Sequence, residues 1–202
     1  MLDTALRPRK DGIFEPLVRL VAPRISANWL TVLALVASVG AAGAAWRNLS
    51  LVSVAAWLLS RIFDGLDGAV ARIRQETSDL GGYLDILGDT IGYAIIPVGV
   101  ALGQDARATW IALGVFGAML YINTISWSFL AAILEKRGRG AAAGSEITTI
   151  TMPPALVEGA ETIVLYSAFL LFPKLAAWIF ALFSLLLVIN VAQRALWARR
   201  SL

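Results

Sequence analysis

The 202-residue sequence contains no cysteine and no histidine, and it has few charged residues. Without cysteine the chain forms no disulfide and offers no thiolate, so zinc-finger and iron–sulfur sites built on cysteine are excluded. Without histidine, a metal ion must be bound by oxygen atoms, and a general base must be a carboxylate, a lysine or a tyrosine. Only 15% of the residues are charged, whereas soluble domains contain about 25%.

Long apolar stretches account for most of the chain, which is 58% hydrophobic with a mean hydropathy of +0.75. Six of these stretches are close to the roughly 20 residues that a membrane-spanning helix needs. They are Asn28–Ala45, Leu49–Arg72, Leu80–Leu102, Thr109–Leu134, Ala155–Phe172 and Leu175–Leu196. The sequence therefore predicts an all-α integral membrane protein, with one domain over residues 1–202 and a six-helix bundle over residues 28–198.

Lysine and arginine are unevenly divided between the two ends of these predicted helices. One side of the membrane would carry only Arg47, Arg107 and Lys174. Apart from Arg61, which lies within the second predicted span, the remaining basic residues would lie on the other side. Because cytoplasmic loops are enriched in such residues, we expect both termini in the cytoplasm and the protein in the inner membrane. The net charge of +3 then reflects orientation and affinity for anionic lipids, and it does not call for a nucleic-acid partner.

The N-terminal segment Met1–Arg24 mixes basic and apolar residues. This pattern predicts a short amphipathic helix at the cytoplasmic interface, or alternatively a partly ordered cytoplasmic tail. We expect no cleavable signal peptide, because no short apolar core followed by a small-residue cleavage site is present.

Four aspartates lie within the second and third predicted helices. Asp64 and Asp67 are three residues apart and Asp85 and Asp89 are four apart, so each pair shares one helix face. In an antiparallel hairpin that turns near residues 76 and 77, residue 64 faces residue 89, and residue 67 faces residue 85 or 86. The spacing therefore predicts one group of four carboxylates, about 15 Å from the turn at 1.5 Å per residue.

Grouped carboxylates inside a membrane repel one another unless a cation lies between them. Oxygen ligands favour Mg²⁺ or Mn²⁺, and four acids suffice for two ions, an arrangement that suits phosphoryl or nucleotidyl transfer. Arg72, near the cytoplasmic mouth, is suited to bind a phosphate. Two other interpretations stay open: the acids act as a proton relay or cation-transport site, or they pair with Arg61, Arg72 or Arg74.

The same residues form a motif that resembles the complete motif of the CDP-alcohol phosphotransferase (CDP-alcohol phosphatidyltransferase) family. Its eight specified positions span 26 residues: Asp64-x2-Asp67-Gly68-x2-Ala71-Arg72-x8-Gly81-x3-Asp85-x3-Asp89. The stretch Asn28–Thr31 is also similar to the family pattern Pro-Asn-x-Leu-Thr, with Ala27 in the usual place of proline.

This resemblance implies a membrane enzyme that transfers a phosphatidyl or related phosphoryl group from a CDP-linked lipid to an alcohol and releases CMP. It implies two Mg²⁺ or Mn²⁺ ions bound by Asp64, Asp67, Asp85 and Asp89, with Asp89 also the base, and a homodimer in the membrane. The contacts to the CDP-linked lipid implied by position are Asn28, Thr31, Gly68, Ala71, Arg72, Ser78 and Gly81.

The acceptor alcohol is not determined by the sequence. Lys136, Arg137, Arg139 and Arg194 are candidates for binding an acceptor phosphate, although the first three equally serve as orientation charges. Glu158 and Glu161 are candidates for binding an amino group or hydroxyls, or for pairing with the basic residues 136–139. Glycerol 3-phosphate, serine, inositol, inositol phosphate and choline all remain candidate acceptors. A divalent-cation or proton transporter and a catalytically inactive lipid-binding scaffold are the alternative functions.

Overall fold

A computed structural model describes residues 16–139 and 155–202, and within these ranges the chain is helical without a strand. The six main helices of the described residues are α1 Ala27–Trp46, α2 Ser50–Arg74, α3 Asp79–Gln104, α4 Arg107–Lys136, α5 Gly159–Leu171 and α6 Ala176–Ser201. A short 3₁₀ turn, Pro173–Leu175, connects the last two. The predicted all-α fold class is confirmed.

The helices differ in how well they suit a membrane. In the described residues, α1, α3, α4 and the segment Pro173–Arg200 are long and apolar enough to span it. Helix α2 is equally long, with 25 residues, but it is more polar because it contains the aspartates and arginines of the motif. Helix α5 has only 13 residues, or about 20 Å, which is less than the roughly 30 Å hydrocarbon core.

The start of α5 corrects the predicted fifth span, which was placed at Ala155. The helix begins at Gly159, because Glu158 and Glu161 form a reciprocal capping box at its first turn. The preceding loop is bound to α6: the Asn190 side chain accepts a hydrogen bond from the Val157 N–H at 3.0 Å and donates one to its carbonyl at 2.9 Å. The sequence of this loop is apolar, like that of a helix, but backbone groups of the loop form hydrogen bonds with side chains of α6.

Helix α1 organises the half of the bundle that contains the motif. It packs closely against both α2 and α3, whereas α2 and α3 approach each other closely at few positions. Glycines make the approach of α3 possible, because a Cβ on Gly99 would lie 2.3 Å from the Ala42 carbonyl oxygen. Ser53 ties α2 to the same helix through a 2.8 Å hydrogen bond to the Ala41 carbonyl. The motif residues of α2 and α3 therefore face each other beside α1.

Aromatic side chains fill the centre of the bundle. Trp57 of α2 and Tyr166 of α5 are fully buried and stack with their ring centroids 4.9 Å apart. Phe116 of α4 stacks on Phe180 of α6 at 5.3 Å. The Tyr166 hydroxyl also donates a 2.7 Å hydrogen bond to the Tyr93 carbonyl of α3. These contacts join the helices of the motif to the second half of the bundle.

The N-terminal segment packs against the helix ends near the motif. Residues 16–21 are helical, and Val18 and Ala22 are buried in one cluster with Leu66 and Val70 of α2. Leu20 of this segment is exposed. Residues 1–15 of the predicted interfacial helix lie outside the described residues, and its position at the membrane surface stays a prediction.

The stability of the bundle should depend on the close approach of α3 to α1 at Gly99. Gly99→Ala places a methyl group against the Ala42 carbonyl and forces α3 away from α1, at a cost of about 1–3 kcal/mol. Gly117→Ala is the matched control, because a Cβ there meets no atom within 4 Å. Thermal unfolding of the purified variants in detergent measures the effect. Equal melting temperatures for the two variants would contradict the close packing of α1 on α3.

Candidate metal and nucleotide site

Three of the four predicted ligands come together between α2 and α3. Asp64, Asp67 and Asp85 each offer one carboxylate oxygen, and these three oxygens lie within 4.8 Å of one another. We call these residues the three-aspartate group. An all-oxygen set of this kind fits a hard divalent cation such as Mg²⁺ or Mn²⁺. The helix spacing predicted that the aspartates of α2 and α3 face one another, and the structure has this arrangement for Asp64, Asp67 and Asp85.

Asp67 is held in place from two sides. The Thr31 hydroxyl of α1 donates a 2.8 Å hydrogen bond to its Oδ2, and the Gly68 N–H donates a 2.6 Å hydrogen bond to its Oδ1. Both donors belong to the residues that were predicted to bind the CDP-linked lipid. Thr31 therefore orients a candidate metal ligand, a contact that the sequence prediction did not include. Counting residues outward from the turn between α1 and α2, as was done for α2 and α3, brings Thr31 close to Asp67 and would have indicated this contact.

Asp89 lies beside the three-aspartate group and has a different partner. Its Oδ1 is 2.8 Å from Nη2 of Arg61, whose Nη1 is 3.5 Å from Oδ2 of Asp64. Arg61 thus contacts two of the four motif aspartates. This contact agrees with the alternative interpretation in which the aspartates pair with Arg61. Arg74, by contrast, pairs with Glu76 at 2.9 Å. The predicted roles of Asp89 as metal ligand and base stay predictions.

A cleft of about 280 Å³ opens next to the three-aspartate group. Asp67 and Asp85 line it, together with residues of α1 and of the turn between α2 and α3. All seven predicted contacts to the CDP-linked lipid also line it: Asn28, Thr31, Gly68, Ala71, Arg72, Ser78 and Gly81. The structure therefore gathers residues from three separate segments of the sequence around one cavity.

The cleft combines groups suited to anions with groups suited to cations. Helix α3 begins at its edge, where the Ser78 hydroxyl caps the helix by accepting a 3.1 Å hydrogen bond from the Gly81 N–H. A helix N-terminus and the guanidinium of Arg72 both favour a phosphate, whereas Asp67 and Asp85 favour a metal ion. A diphosphate accompanied by divalent cations would supply a partner for both sets of groups.

A second cavity of about 300 Å³ lies between α3 and α4. It is lined mainly by apolar and aromatic side chains, including Tyr83, Ile86 and Trp127. Asp79 and Gly82 line both cavities. An apolar groove therefore continues from the polar cleft along the outside of α3.

None of the six predicted acceptor residues lines the polar cleft in the described part of the chain. Glu158 and Glu161 form the cap of α5, and Arg194 donates a 2.6 Å hydrogen bond to the Asn123 side chain of α4. Arg137 donates a hydrogen bond to the Leu202 carbonyl, while Lys136 and Arg139 lie at the exposed end of α4. Most of the loop that follows, residues 140–154, lies outside the described residues.

Comparison with known proteins gives a family and a fold. The family model described as CDP-alcohol phosphatidyltransferase matches residues 24–193. The chain is 36% identical to the inner membrane protein YnjF of Escherichia coli strain K12 over 183 residues, which are 88% of this chain and 84% of YnjF. It is 37% identical to a CDP-diacylglycerol–serine O-phosphatidyltransferase of Helicobacter pylori over 75 residues, 33% of this chain and 32% of that protein.

The structural comparison agrees. The phosphatidylinositol phosphate synthase PgsA1 of Mycobacterium tuberculosis, solved with CDP-DAG bound, superimposes with a TM-score of 0.63 and 21% identity. The match covers 91% of this chain and 92% of PgsA1. The same synthase solved with manganese and citrate gives a TM-score of 0.63 at 20% identity. With an intact motif, a cleft lined by its residues and a match over residues 24–193, the chain belongs to the CDP-alcohol phosphatidyltransferase family.

Proposed function

We propose that this protein transfers a phosphatidyl group from a CDP-linked lipid, such as CDP-diacylglycerol, to a small alcohol and releases CMP. The observation that carries this proposal is the shared cleft, in which two aspartates of the candidate metal site stand beside all seven predicted donor contacts. Family membership supports the same reaction class. The PgsA1 structure that shares this fold contains CDP-DAG, and phospholipid biosynthesis is the corresponding role.

The three-aspartate group would hold the divalent ions, with Thr31 and the Gly68 N–H keeping Asp67 oriented. Two Mg²⁺ or Mn²⁺ ions, when bound, would neutralise the diphosphate and polarise the phosphorus that is attacked. PgsA1, solved with manganese, has the same fold. Oxygen-only ligands in this chain agree with such ions.

The remaining cleft residues would position the donor. Arg72 presents a planar guanidinium that can bind a phosphate through two parallel hydrogen bonds. Gly68 and Gly81 line the cleft without side chains of their own. A Cβ on Gly81 would lie 3.2 Å from the Ser78 hydroxyl, and one on Gly68 would lie 3.4 Å from the Arg72 guanidinium, so larger residues there would disturb these two side chains. The apolar groove beside α3 is suited to the acyl chains, because it continues from the cleft.

In the transfer step, Asp89 would accept the proton from the attacking hydroxyl. A new bond forms between the alcohol oxygen and the lipid-bearing phosphorus, while the bond from that phosphorus to the bridging oxygen of CMP breaks. The electron pair of the broken bond leaves with CMP. Within a chain that lacks histidine, a carboxylate at this position is the natural general base.

The setting of the reaction follows from the charge distribution. The bias of lysine and arginine supports an orientation in which both termini and the cleft face the cytoplasmic side of the inner membrane. There a water-soluble acceptor reaches the site from one side and the lipid donor reaches it from the bilayer. We further propose a single domain over residues 1–202 that functions as a homodimer. The family match favours the transferase over cation or proton transport by the same aspartates.

A turnover assay tests the reaction and identifies the acceptor. Purified protein with Mn²⁺ and CDP-diacylglycerol is offered glycerol 3-phosphate, serine, inositol, inositol phosphate or choline in separate reactions. We expect CMP release with one of them and none after removal of the metal with EDTA. Asp67→Asn serves as an inactive control. If no acceptor releases CMP while protein in vesicles carries Mn²⁺ across the membrane, the transferase is contradicted and the transporter is supported.

Asp89→Asn tests the proposed base. Because the amide cannot accept the hydroxyl proton, turnover should fall by about 100-fold or more, while the affinity for CDP-diacylglycerol changes little. CMP release and calorimetric titration with the donor measure the two quantities. Asp105→Asn makes the same chemical change at the exposed far end of α3 and should leave both quantities unchanged. Normal turnover by Asp89→Asn would remove this residue from the role of base.

A further inference from the structure

Arg61 is a buried arginine in the middle of α2 that the family motif does not include. Its side chain is only 7% exposed, and it lies one helical turn before Asp64. A buried charge inside a membrane protein is costly unless it is paired and hydrogen-bonded. The contacts of Arg61 must therefore compensate the cost of burying its charge.

The guanidinium of Arg61 contacts acids on two helices at once. It is 2.8 Å from Asp89 of α3 and 3.5 Å from Asp64 of α2. Asp64 belongs to the three-aspartate group and Asp89 does not. Arg61 therefore stands between the candidate metal site and the candidate base.

Two aromatic rings hold the guanidinium in this position. Its Cζ lies 4.7 Å from the ring centroid of Trp57 and 5.3 Å from that of Tyr93, within the range of cation–π contacts. The Tyr93 hydroxyl also accepts a hydrogen bond from Nη1 at 3.2 Å. Trp57 is fully buried against Tyr166. The aromatic core of the bundle thus fixes the direction in which Arg61 points.

We propose that Arg61 is a positioning residue that holds Asp89 beside the three-aspartate group, leaving Asp89 aimed at the acceptor hydroxyl. This inference rests on the proposed transferase function. Arg61 would also have a second effect, because its fixed positive charge in contact with Asp64 competes with a divalent cation for that carboxylate. Removing Arg61 should therefore weaken catalysis and strengthen metal binding, a combination that loss of structural support does not produce.

Two substitutions separate the charge of Arg61 from its geometry. Arg61→Gln removes the charge, so Mn²⁺ affinity should rise by about tenfold because a repulsion at short range is lost. Its kcat should fall by about 10- to 100-fold, as when a residue that orients a catalytic group is lost. Arg61→Lys keeps the charge but cannot present the same planar fork, so Mn²⁺ affinity should stay near that of the wild type while kcat falls by about tenfold.

Calorimetric titration with Mn²⁺ and measurement of kcat for CMP release give the two readouts on the full chain in lipid nanodiscs. Arg107→Gln is the matched control: it removes an equal charge from the exposed start of α4 and should change neither quantity. If Arg61→Gln does not fold, Tyr93→Phe replaces it. That variant deletes only the hydroxyl that accepts the hydrogen bond from Arg61. Because one contact that orients Arg61 is lost while its charge stays, kcat should fall by about threefold and the Mn²⁺ affinity should not change.

These measurements distinguish a failure of the positioning role of Arg61 from a failure of the proposed transferase function. Lower Mn²⁺ affinity in Arg61→Gln, or wild-type kcat in Arg61→Lys, would overturn the positioning role even though the wild type remains an active transferase. For Tyr93→Phe, an unchanged kcat would count equally against it. A wild-type protein that neither binds Mn²⁺ nor releases CMP would instead overturn the proposed function, and the inference about Arg61 with it.

Discussion

Repulsion among closely spaced carboxylates is the constraint on which the rest of this structure depends. Three carboxylate oxygens lie within 4.8 Å of one another inside a helical membrane protein, where water screens charge poorly. Such a group is stable only where cations and hydrogen-bond donors compensate it. Thr31 and the Gly68 N–H supply donors to Asp67, and Arg61 supplies a permanent positive charge beside Asp64 and Asp89. Divalent cations bound to the three-aspartate group would complete this compensation.

Helix α1 sets the spacing between the two helices that carry these carboxylates. Helix α1 packs against α2 and α3 and takes the place of extensive direct packing between those two helices. The glycines of α3 let it lie against the α1 backbone, as at Gly99, while the polar start of α1 supplies Asn28 and Thr31 to the cleft. One helix therefore positions the acids and also forms a wall of the cleft.

Much of the candidate site could be predicted from the sequence because helix geometry is regular. Spacings of three and four residues place Asp64 with Asp67 and Asp85 with Asp89, and counting outward from the turn brings the two helices into register. The residues implied by the family motif then line one cleft. The partner of Asp89 could not be predicted in this way. Helical spacing makes Arg61 a neighbour of Asp64, but only the packing of Trp57 and Tyr93 determines that it points toward α3.

The structure of the second half of the chain is less evident from its sequence, for a physical reason. Hydropathy does not distinguish a helix from the apolar loop that precedes it, so the capping residues at 158 and 161 were needed to locate the start of α5. Those glutamates and Arg194 were predicted as acceptor contacts from their charge alone. In the structure they bond to a helix end and to Asn123. Charge in a membrane segment indicates a partner, and that partner is often structural.

Anomalous diffraction from crystals grown with Mn²⁺ is the most direct test of the metal site. Anomalous peaks among the carboxylates of Asp64, Asp67 and Asp85, at about 2.0–2.3 Å from their oxygens, are the expected result. Addition of a CDP-linked lipid should then place its diphosphate against the same peaks and beside Arg72. Absence of any peak among these three aspartates, at Mn²⁺ concentrations that support CMP release, would contradict the central role assigned to them.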